Sequence, residues 1–220
     1  MEIIIRNSIK YQLDTEDNTA KVIGYISKPV KVRIPKYIRY RFRNYKVIEI
    51  GCGTFDNSKS LKSIKIPNNI TEIGGCAFAL CKNLQSITIP DSVTYIGSCA
   101  FYKIGLTLPK RYTEDGKLIA YKAFNNDMTC MEFQYEEGET FEIEGKIKCC
   151  NSGFHACINP LDIFTYYNGQ IDSDIFIHEV YLNGDIDEDN DDDSKVCASK
   201  IEIGRRLSIK DINEIINTTY

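Results

Sequence analysis

A phrase that is repeated at a fixed interval constrains the fold more than any other feature of this chain. The segment from Leu61 to Phe78 reads LKSIKIPNNITEIGGCAF, and the segment from Leu84 to Phe101 reads LQSITIPDSVTYIGSCAF. A half-copy ends at Phe55, so the phenylalanines that end the three copies are equally spaced along the chain. A fixed period between about 20 and 50 residues predicts coils that stack along one axis, each burying its apolar edge against the next.

Each copy of the phrase predicts two short strands. Pro67 ends the first strand because proline lacks a backbone donor, and Gly74 ends the second because glycine permits tight backbone geometry. The register predicts that the phenylalanines lie on one another in a single column. Cys76 and Cys99 share another column, which we interpret as a ladder of small buried residues, since free cysteine behaves as a small hydrophobe.

The residues that carry this pattern resemble leucine-rich repeats of the BspA type. They are Leu-x-Ser-Ile-x-Ile-Pro-x-x-Ile/Val-Thr-x-Ile-Gly-x-Cys-Ala-Phe, together with Cys81 before Leu84. An upstream hairpin with its turn near residues 14–18 and strand signals at 32–35 and 45–51 fit the same pattern. The resemblance implies a short solenoid over residues 1–110, with about three coils, an N-terminal β-hairpin cap and a role in protein binding.

Charge divides the chain in two. Residues 1–110 carry 17 Lys+Arg and 8 Asp+Glu, a balance of +9, whereas residues 111–220 carry 10 and 23, a balance of −13. The net charge of −4 therefore hides two units with surfaces of opposite sign. Nine cysteines without a secretory signal or a long apolar run favour reduced thiols, a cytoplasmic location and no membrane span.

Residues 28–46 hold eight basic residues interleaved with four aromatic ones. One interpretation is a solvated loop or edge strand whose charges prevent pairing between sheets. A second is docking against the acidic second half of the chain or against an acidic partner, and a third is nucleic-acid binding through phosphate contacts and base stacking. The candidate binding residues in this half of the chain are Lys36, Tyr37, Arg39, Tyr40, Arg41, Arg43, Tyr45, Lys46, Lys62, Lys65 and Tyr95.

After Pro109 the period stops, and an α+β pattern follows. Strands are predicted at 117–123, 129–135, 140–147, 174–182 and 195–203. Helices are predicted from Asn159-Pro160 to Tyr167 and from the cap Ser208, with Asp211 three residues later. The whole chain is thus predicted to be α+β and mainly β, with a small α+β domain at 111–220.

Segments such as GFHAC at 153–157, PLDIFTYY at 160–167 and DSKVCASKI at 193–201 resemble a domain of bacterial and phage proteins that is often joined to repeats. The resemblance covers about residues 115–210. It implies a biological setting and a domain boundary. It implies no mechanism, because that family carries no established activity.

Candidate chemistry in the second half rests on few residues. Tyr121, His155, Tyr166 and Glu179 occur in an order that loosely resembles ADP-ribosyltransferases, with Glu202 as an alternative carboxylate. Cysteines flank His155, but their spacing matches no known zinc finger, so no metal is predicted. The acidic run 185–193 has the alternating carboxylates of a calcium loop but lacks its glycine and its final glutamate, which favours a solvated loop.

These observations favour a non-enzymatic interaction module of a bacterium or phage, without a cofactor, that binds a macromolecular partner. Inhibition of a host or defence protein is one role that fits the family setting. The first alternative is an ADP-ribosyltransferase-like enzyme that uses the repeats as a targeting arm. The second alternative is nucleic-acid binding through residues 28–46.

Overall fold

The computed structural model describes residues 1–171, 173–189 and 194–218. As the sequence predicts, it is mostly β. In chain order the strands are β1 (Glu2–Arg6), β2 (Ile9–Asp14), β3 (Thr19–Tyr25), β4 (Lys31–Arg33), β5 (Tyr37–Tyr40), β6 (Arg43–Ile50), β7 (Ser63–Lys65), β8 (Glu72–Ile73), β9 (Tyr95–Ile96), β10 (Arg111–Tyr112), β11 (Leu118–Asn125), β12 (Thr129–Cys130), β13 (Phe133–Gln134), β14 (Thr140–Glu142), β15 (Phe154–Cys157), β16 (Gly169–Gln170), β17 (Ile175–Glu188) and β18 (Lys195–Arg206). A 3₁₀ helix spans Pro160–Thr165, and helix α1 spans Ile209–Asn217.

The repeat region forms one side of the molecule. Its sheet follows the strand order β1-β2-β3-β6-β8-β9-β16, in which β16 comes from the second half, and β5 pairs with β6 beside this path. The pairings β3–β6, β6–β8 and β8–β9 are parallel, as expected for segments related by translation along a stack. A second, two-stranded ladder pairs β4 with β7, also in parallel.

Aromatic rings form a column through the repeat region. Phe55 lies 5.5 Å from Phe78 and Phe78 lies 5.7 Å from Phe101 between ring centroids, with interplanar angles of 5° and 4°. Tyr25 stacks on Phe55 at 5.8 Å, and Phe164 contacts Phe101 edge-on at 6.1 Å. The three phenylalanines are fully buried. The predicted alignment of these rings is therefore confirmed.

The coils approach one another so closely that several positions require glycine, and Gly97 is one of them. A Cβ atom on Gly97 would lie 2.3 Å from the backbone nitrogen of Gly75 and 2.8 Å from the carbonyl carbon of Gly74. Because backbone atoms of the neighbouring coil cannot rotate away, the glycine sets the spacing of the stack.

The second half has its own sheet. Strand β11 pairs with β17, β17 with β18, β18 with β15, and β15 returns to β11 through the single residue pair Tyr121 and Cys157. The four strands thus pair in a closed circuit, to which β10 and β14 add at the sides. Side chains of these strands form an apolar cluster, which includes Phe124 of β11, Phe154 of β15 and Val180 of β17.

The second half covers the last coil of the repeats on three sides. Strand β16 pairs antiparallel with β9, and the backbone nitrogen of Cys99 donates to the carbonyl of Phe164 in the 3₁₀ helix. On the third side, the Asn213 side chain of α1 accepts from the backbone nitrogen of Ile89 at 2.9 Å and donates to its carbonyl at 2.6 Å. Backbone groups at the open end of the stack thereby find partners.

The predicted boundary at residues 110 and 111 stays a prediction. One apolar cluster contains side chains from both sides of it, such as Phe101 from the repeats and Phe164, Leu207 and Ile212 from the second half. The number of coils and the role of β1–β3 as a cap also stay predictions.

Several elements of the second half differ from their predicted form. The strand predicted at 129–135 is the hairpin β12–β13, since Met131 and Glu132 take positive φ values of 49° and 66° and reverse the chain. The segment from Pro160 is a 3₁₀ helix that ends at Thr165, although Asn159 caps it as predicted. The capping box predicted at Ser208 and Asp211 is confirmed.

The predicted burial of Cys76 and Cys99 is wrong. Cys76 is exposed and Cys99 is half-buried, with φ values of 54° and 57° that turn both side chains away from the core. Gly53, at the equivalent position of the first coil, has a φ of 61°.

Among the described residues, no helix has the length and apolarity needed to cross a bilayer.

Candidate functional site

A cavity of about 620 Å³ opens in the second half of the molecule. Strands β11 and β15 form its floor, the β12–β13 hairpin forms one wall, and Tyr166 and Tyr167 close the side that follows the 3₁₀ helix. Its aromatic lining residues are Tyr121, Phe133, Tyr135, Phe154, Tyr166 and Tyr167. Volume and lining are those of a small-molecule site.

Lys122 is the buried charge of this cavity. Its side chain comes from β11 and is only 7% exposed. Its Nζ donates to the backbone carbonyl of His155 at 2.9 Å and lies 5.6 Å from the ring centroid of Tyr135 and 5.7 Å from that of Phe124. Among the described residues, no carboxylate forms an ion pair with Lys122.

His155, in strand β15, lies beside Lys122 of β11 and is half-buried. Its Nε2 accepts a hydrogen bond from the backbone nitrogen of Cys150 at 2.9 Å. Burial lowers the pKa of His155, and the positive charges of Lys122 and Lys195 lower it further. The imidazole is therefore neutral at pH 7, and it lies in a positive electrostatic field.

Three side chains of metal-binding types meet at the edge of this cavity. Donor atoms of Cys149, His155 and Cys197 all lie within 4.8 Å of one another. Burial raises the pKa of the Cys149 thiol to about 12, and the nearby Cys197 contributes to the increase. Thiols and an imidazole are ligand types of zinc, although the Nε2 lone pair of His155 is already occupied by the Cys150 amide. The prediction of no metal stays a prediction.

Half-buried Tyr167 and buried Cys130 form a polar pair on the far wall. The Tyr167 hydroxyl and the Cys130 Sγ atom are 2.8 Å apart. Burial and the contact with Cys130 raise the pKa of Tyr167 well above its ordinary value, so the phenol is neutral at pH 7.

The structure brings together three of the four residues predicted for an enzyme site. Tyr121, His155 and Tyr166 all line the cavity, and the Tyr121 hydroxyl also accepts a hydrogen bond from Arg111. Glu179 pairs with Tyr121 across β11 and β17 but does not line the cavity, and its carboxylate accepts from the Tyr181 hydroxyl at 2.9 Å. No aspartate or glutamate is among the described residues that line the cavity.

The basic stretch of the repeat region forms an antiparallel hairpin, β5–β6, that we call the basic hairpin (residues 37–46). Its residues carry four positive charges and no negative one. Its tip is Arg41-Phe42, and both residues take positive φ values, 44° and 66°. Phe42 is 97% exposed. A two-residue turn of this kind normally contains asparagine and glycine, because other side chains are strained there.

The other predicted binding residues divide among several surfaces. On the basic hairpin, Tyr37, Arg39, Arg43 and Lys46 are exposed and Tyr40 is half-buried beneath Arg41, while Lys36 is exposed just before β5. Tyr45 is 3% exposed and packs in the core, so its prediction as a surface contact is corrected. Lys62 and Lys65 are exposed at the β4–β7 ladder. Tyr95 lies in β9, in the larger sheet of the repeat region, between Glu72 and Gln170.

Lys122 and the aromatic wall from the β12–β13 hairpin did not stand out in the sequence. The signal for Lys122 was weak but present: it is a lysine inside a strand that otherwise reads Leu-Ile-Ala-Tyr-x-Ala-Phe. The loop predicted for the acidic run is wrong at residues 185–188, which continue β17 and pair with β18, and positions 190–193 lie outside the described residues.

A sequence model of a domain of unknown function, DUF7666, matches residues 118–215. This match contains all the strands and loops that line the cavity. No curated protein shows significant sequence similarity to the chain.

Solved structures that resemble part of the chain are leucine-rich repeat proteins. A leucine-rich cell surface protein from Faecalibacterium prausnitzii shares 32% identity over 47% of this chain, with a TM-score of 0.43. A protein from Bacteroides ovatus shares 27% identity over 46% of the chain (TM-score 0.37), and one from T. pallidum shares 24% over 49% (TM-score 0.41). The matched parts span 29%, 33% and 50% of those three chains, so this chain is similar to only a portion of each.

Proposed function

We propose that this protein is a non-enzymatic interaction module that binds a macromolecular partner, an acidic protein, through the basic hairpin. The observation that carries the proposal is the tip of that hairpin. Arg41 and Phe42 both hold a strained left-handed backbone, and Phe42 is almost completely exposed. Strain and exposed apolar surface both reduce stability, and both are features of binding sites.

The charges of the hairpin define the partner. Arg39, Arg41 and Arg43 surround Phe42, and arginine and aromatic side chains are the residue types that contribute most to protein interfaces. The ion pair of Arg41 with Glu2 at 2.8 Å is exposed and therefore weak. An acidic surface with an apolar pocket would complement this tip in charge and shape.

Within this proposal, residues 1–110 act as a BspA-like solenoid with β1–β3 as its cap, and residues 111–220 form the second domain. The partner would be met in the cytoplasm of a bacterium, and a phage protein that inhibits a host or defence protein is one form of this function. The stack supports the proposal because it holds the hairpin on a rigid base, through Ile38 and Tyr45 in the core.

Two alternatives have weaker support. Binding of single strands by base stacking needs exposed aromatic rings, and of the four aromatic residues in the basic hairpin only Tyr37 and Phe42 are exposed. An ADP-ribosyltransferase-like enzyme needs a carboxylate at the reacting centre, and the described cavity lining contains none.

The proposal is tested with the full chain as bait in a lysate of the source organism. The triple variant Arg39→Glu, Arg41→Glu, Arg43→Glu is compared with a matched variant of three exposed lysines elsewhere, Lys59→Glu, Lys146→Glu, Lys210→Glu. We expect the native chain and the matched variant to retain the same protein and the hairpin variant to lose it. A nuclease-sensitive capture would support the nucleic-acid alternative instead, and equal capture by all three baits would exclude the hairpin as the site.

A turn variant separates strain from binding. Arg41→Asn with Phe42→Gly provides the residues that a two-residue turn prefers, so we expect the free energy of unfolding to rise by about 1 kcal/mol. Affinity for the captured partner should fall at least tenfold, because the contact residues are lost. Urea unfolding and a binding titration measure the two effects. If affinity is unchanged in this variant, the tip does not contact the partner.

A further inference from the structure

We propose that the cavity of the second half binds a small aromatic anion, with its acidic group on Lys122 and its ring between the aromatic walls. The site is separate from the basic hairpin and does not depend on the function proposed for it. The ligand class is a planar ring that carries a carboxylate or a phosphate.

Lys122 carries a buried positive charge that the described residues satisfy only in part. A lysine ammonium has three donors, and the described contacts use one of them, on the carbonyl of His155. The side chain is 7% exposed, and no described carboxylate compensates its charge. A buried charge is costly unless an opposite charge and hydrogen bonds satisfy it. An anion in the adjoining cavity would provide both.

The electrostatic field inside the cavity is positive. Lys195 also lines it, with its Nζ 4.2 Å from the ring centroid of Tyr166 and 3.2 Å from the Cys150 Sγ atom. The positive charges of both lysines reach the imidazole of His155 and help to keep it neutral. The described lining contains no aspartate or glutamate that would oppose an anion.

The walls of the cavity present apolar and aromatic surface to a ligand. Phe133 and Met131 at the mouth are 41% and 92% exposed, which leaves apolar surface in contact with water. Tyr135 and Phe154 continue the wall inward, and the rings of Phe133 and Tyr135 are 4.6 Å apart. A flat ring would cover this surface and gain the favourable contacts that aromatic side chains offer. A volume of about 620 Å³ accommodates a ligand of this size.

The test uses 1-anilinonaphthalene-8-sulfonate, a fluorescent aromatic anion, and N-phenyl-1-naphthylamine, its uncharged counterpart. Both are titrated into the full chain, into Lys122→Met and into Lys148→Met, an exposed lysine outside the cavity. We expect Lys122→Met to weaken binding of the anion at least tenfold and to change binding of the neutral probe less than twofold. Lys148→Met should behave as the native chain.

Three further measurements test the parts of the proposal separately: the unfolding temperature of Lys122→Met, probe binding to Phe133→Ala, and competition by small ligands. Lys122→Met should unfold at a higher temperature than the native chain, because it removes an uncompensated buried charge while keeping a side chain of similar length. Phe133→Ala should weaken both probes. Competition by AMP against adenosine, and by indole-3-carboxylate against indole, then separates phosphate from carboxylate ligands. Equal affinity of the anionic probe for native chain and Lys122→Met, or no binding to the folded chain, would overturn the proposal.

Discussion

The two cores of this protein are built from the same aromatic residue types in different ways. In the repeat region the rings of Phe55, Phe78 and Phe101 are parallel within 5°, because each occupies the same place in a translated copy of one coil. In the second half, ring pairs involving Phe133 and Tyr135 meet at angles from 53° to 85°. The first arrangement uses one packing solution several times, and the second is assembled from contacts that each occur once.

This difference has a functional consequence. A stack of near-identical coils packs each coil directly against the next, so it offers a ligand mainly its surface. The irregular core of the second half leaves a cavity beside its rings. This difference is consistent with the two proposals, which assign a macromolecular partner to the repeat region and a small ligand to the second half.

The sharpest way to break the comparison is to remove one ring from the column and one ring from the cavity mouth of the second half. Phe78→Ala leaves a gap in a column with rings above and below, and we expect the free energy of unfolding to fall by about 3–5 kcal/mol. Phe133→Ala removes a ring that is 41% exposed, and we expect a loss of about 1 kcal/mol. Urea unfolding followed by circular dichroism measures both. A loss for Phe133→Ala as large as that for Phe78→Ala would mean that the ring at the cavity mouth is packed as tightly as the rings of the column.

The spacing of the coils gives the next largest effect. Gly97→Ala places a methyl group against the backbone of Gly75, and we expect a loss of about 2–3 kcal/mol. Gly53→Ala is the matched control, because its Cβ would meet no atom within 4 Å and only its positive φ is strained, which costs about 1 kcal/mol. Both losses are measured by urea unfolding. A smaller loss for Gly97→Ala than for its control would show that the stack can expand.

The junction between the two regions is tested at Asn213. Asn213→Ala leaves the backbone nitrogen and carbonyl of Ile89 without their partner, and we expect a net loss of about 1–2 kcal/mol after the better helix propensity of alanine is included. Asn217→Ala removes a hydrogen bond of 3.3 Å to Ile87 and should cost about 0.5 kcal/mol or less. Thermal unfolding that separates into two transitions in Asn213→Ala would show that this contact couples the halves, and equal losses in the two variants would contradict its role.

The smallest effect depends on pH. Hydrogen bonds from Ser208 and the contact with Arg205 lower the pKa of Asp211 to about 2. A carboxylate whose pKa is lowered in the folded state adds stability above its unfolded pKa and loses it as the pH falls through the folded pKa. Asp211→Asn should therefore cost about 1 kcal/mol at pH 7, and the difference from the native chain should shrink between about pH 5 and pH 2. Urea unfolding across this range measures it, and a constant difference would contradict the assignment.

The sequence predicts the repeat region well because its signals are local and occur more than once. The strands around Ile64 and Ile73 and the ring column all follow from a single register. The same comparison could have placed Cys76 and Cys99 correctly. Their equivalent in the first coil is Gly53, which marks a position that needs a positive φ and so turns its side chain outward.

The second half is less predictable because its decisive contacts join distant residues. The pairing of β16 with β9 and the hydrogen bonds of Asn213 to Ile89 leave no local pattern in the chain. The cavity is of the same kind: Tyr121, His155 and Tyr166 were identified one by one, but their meeting and the position of Glu179 outside the lining depend on how β11 pairs. The capping box at Ser208 was predictable because it occupies four consecutive residues.

The closure of the last coil by three different elements decides where this protein can change in length. Strand β16, the 3₁₀ helix and α1 are each fitted to one face of the coil that contains Phe101, so no further coil can be appended there without displacing them. A further repeat unit inserted between Phe55 and Phe101 would meet only copies of itself. Growth or shortening by whole coils between the basic hairpin and the cavity therefore takes place within the stack, and it changes the distance between these two sites.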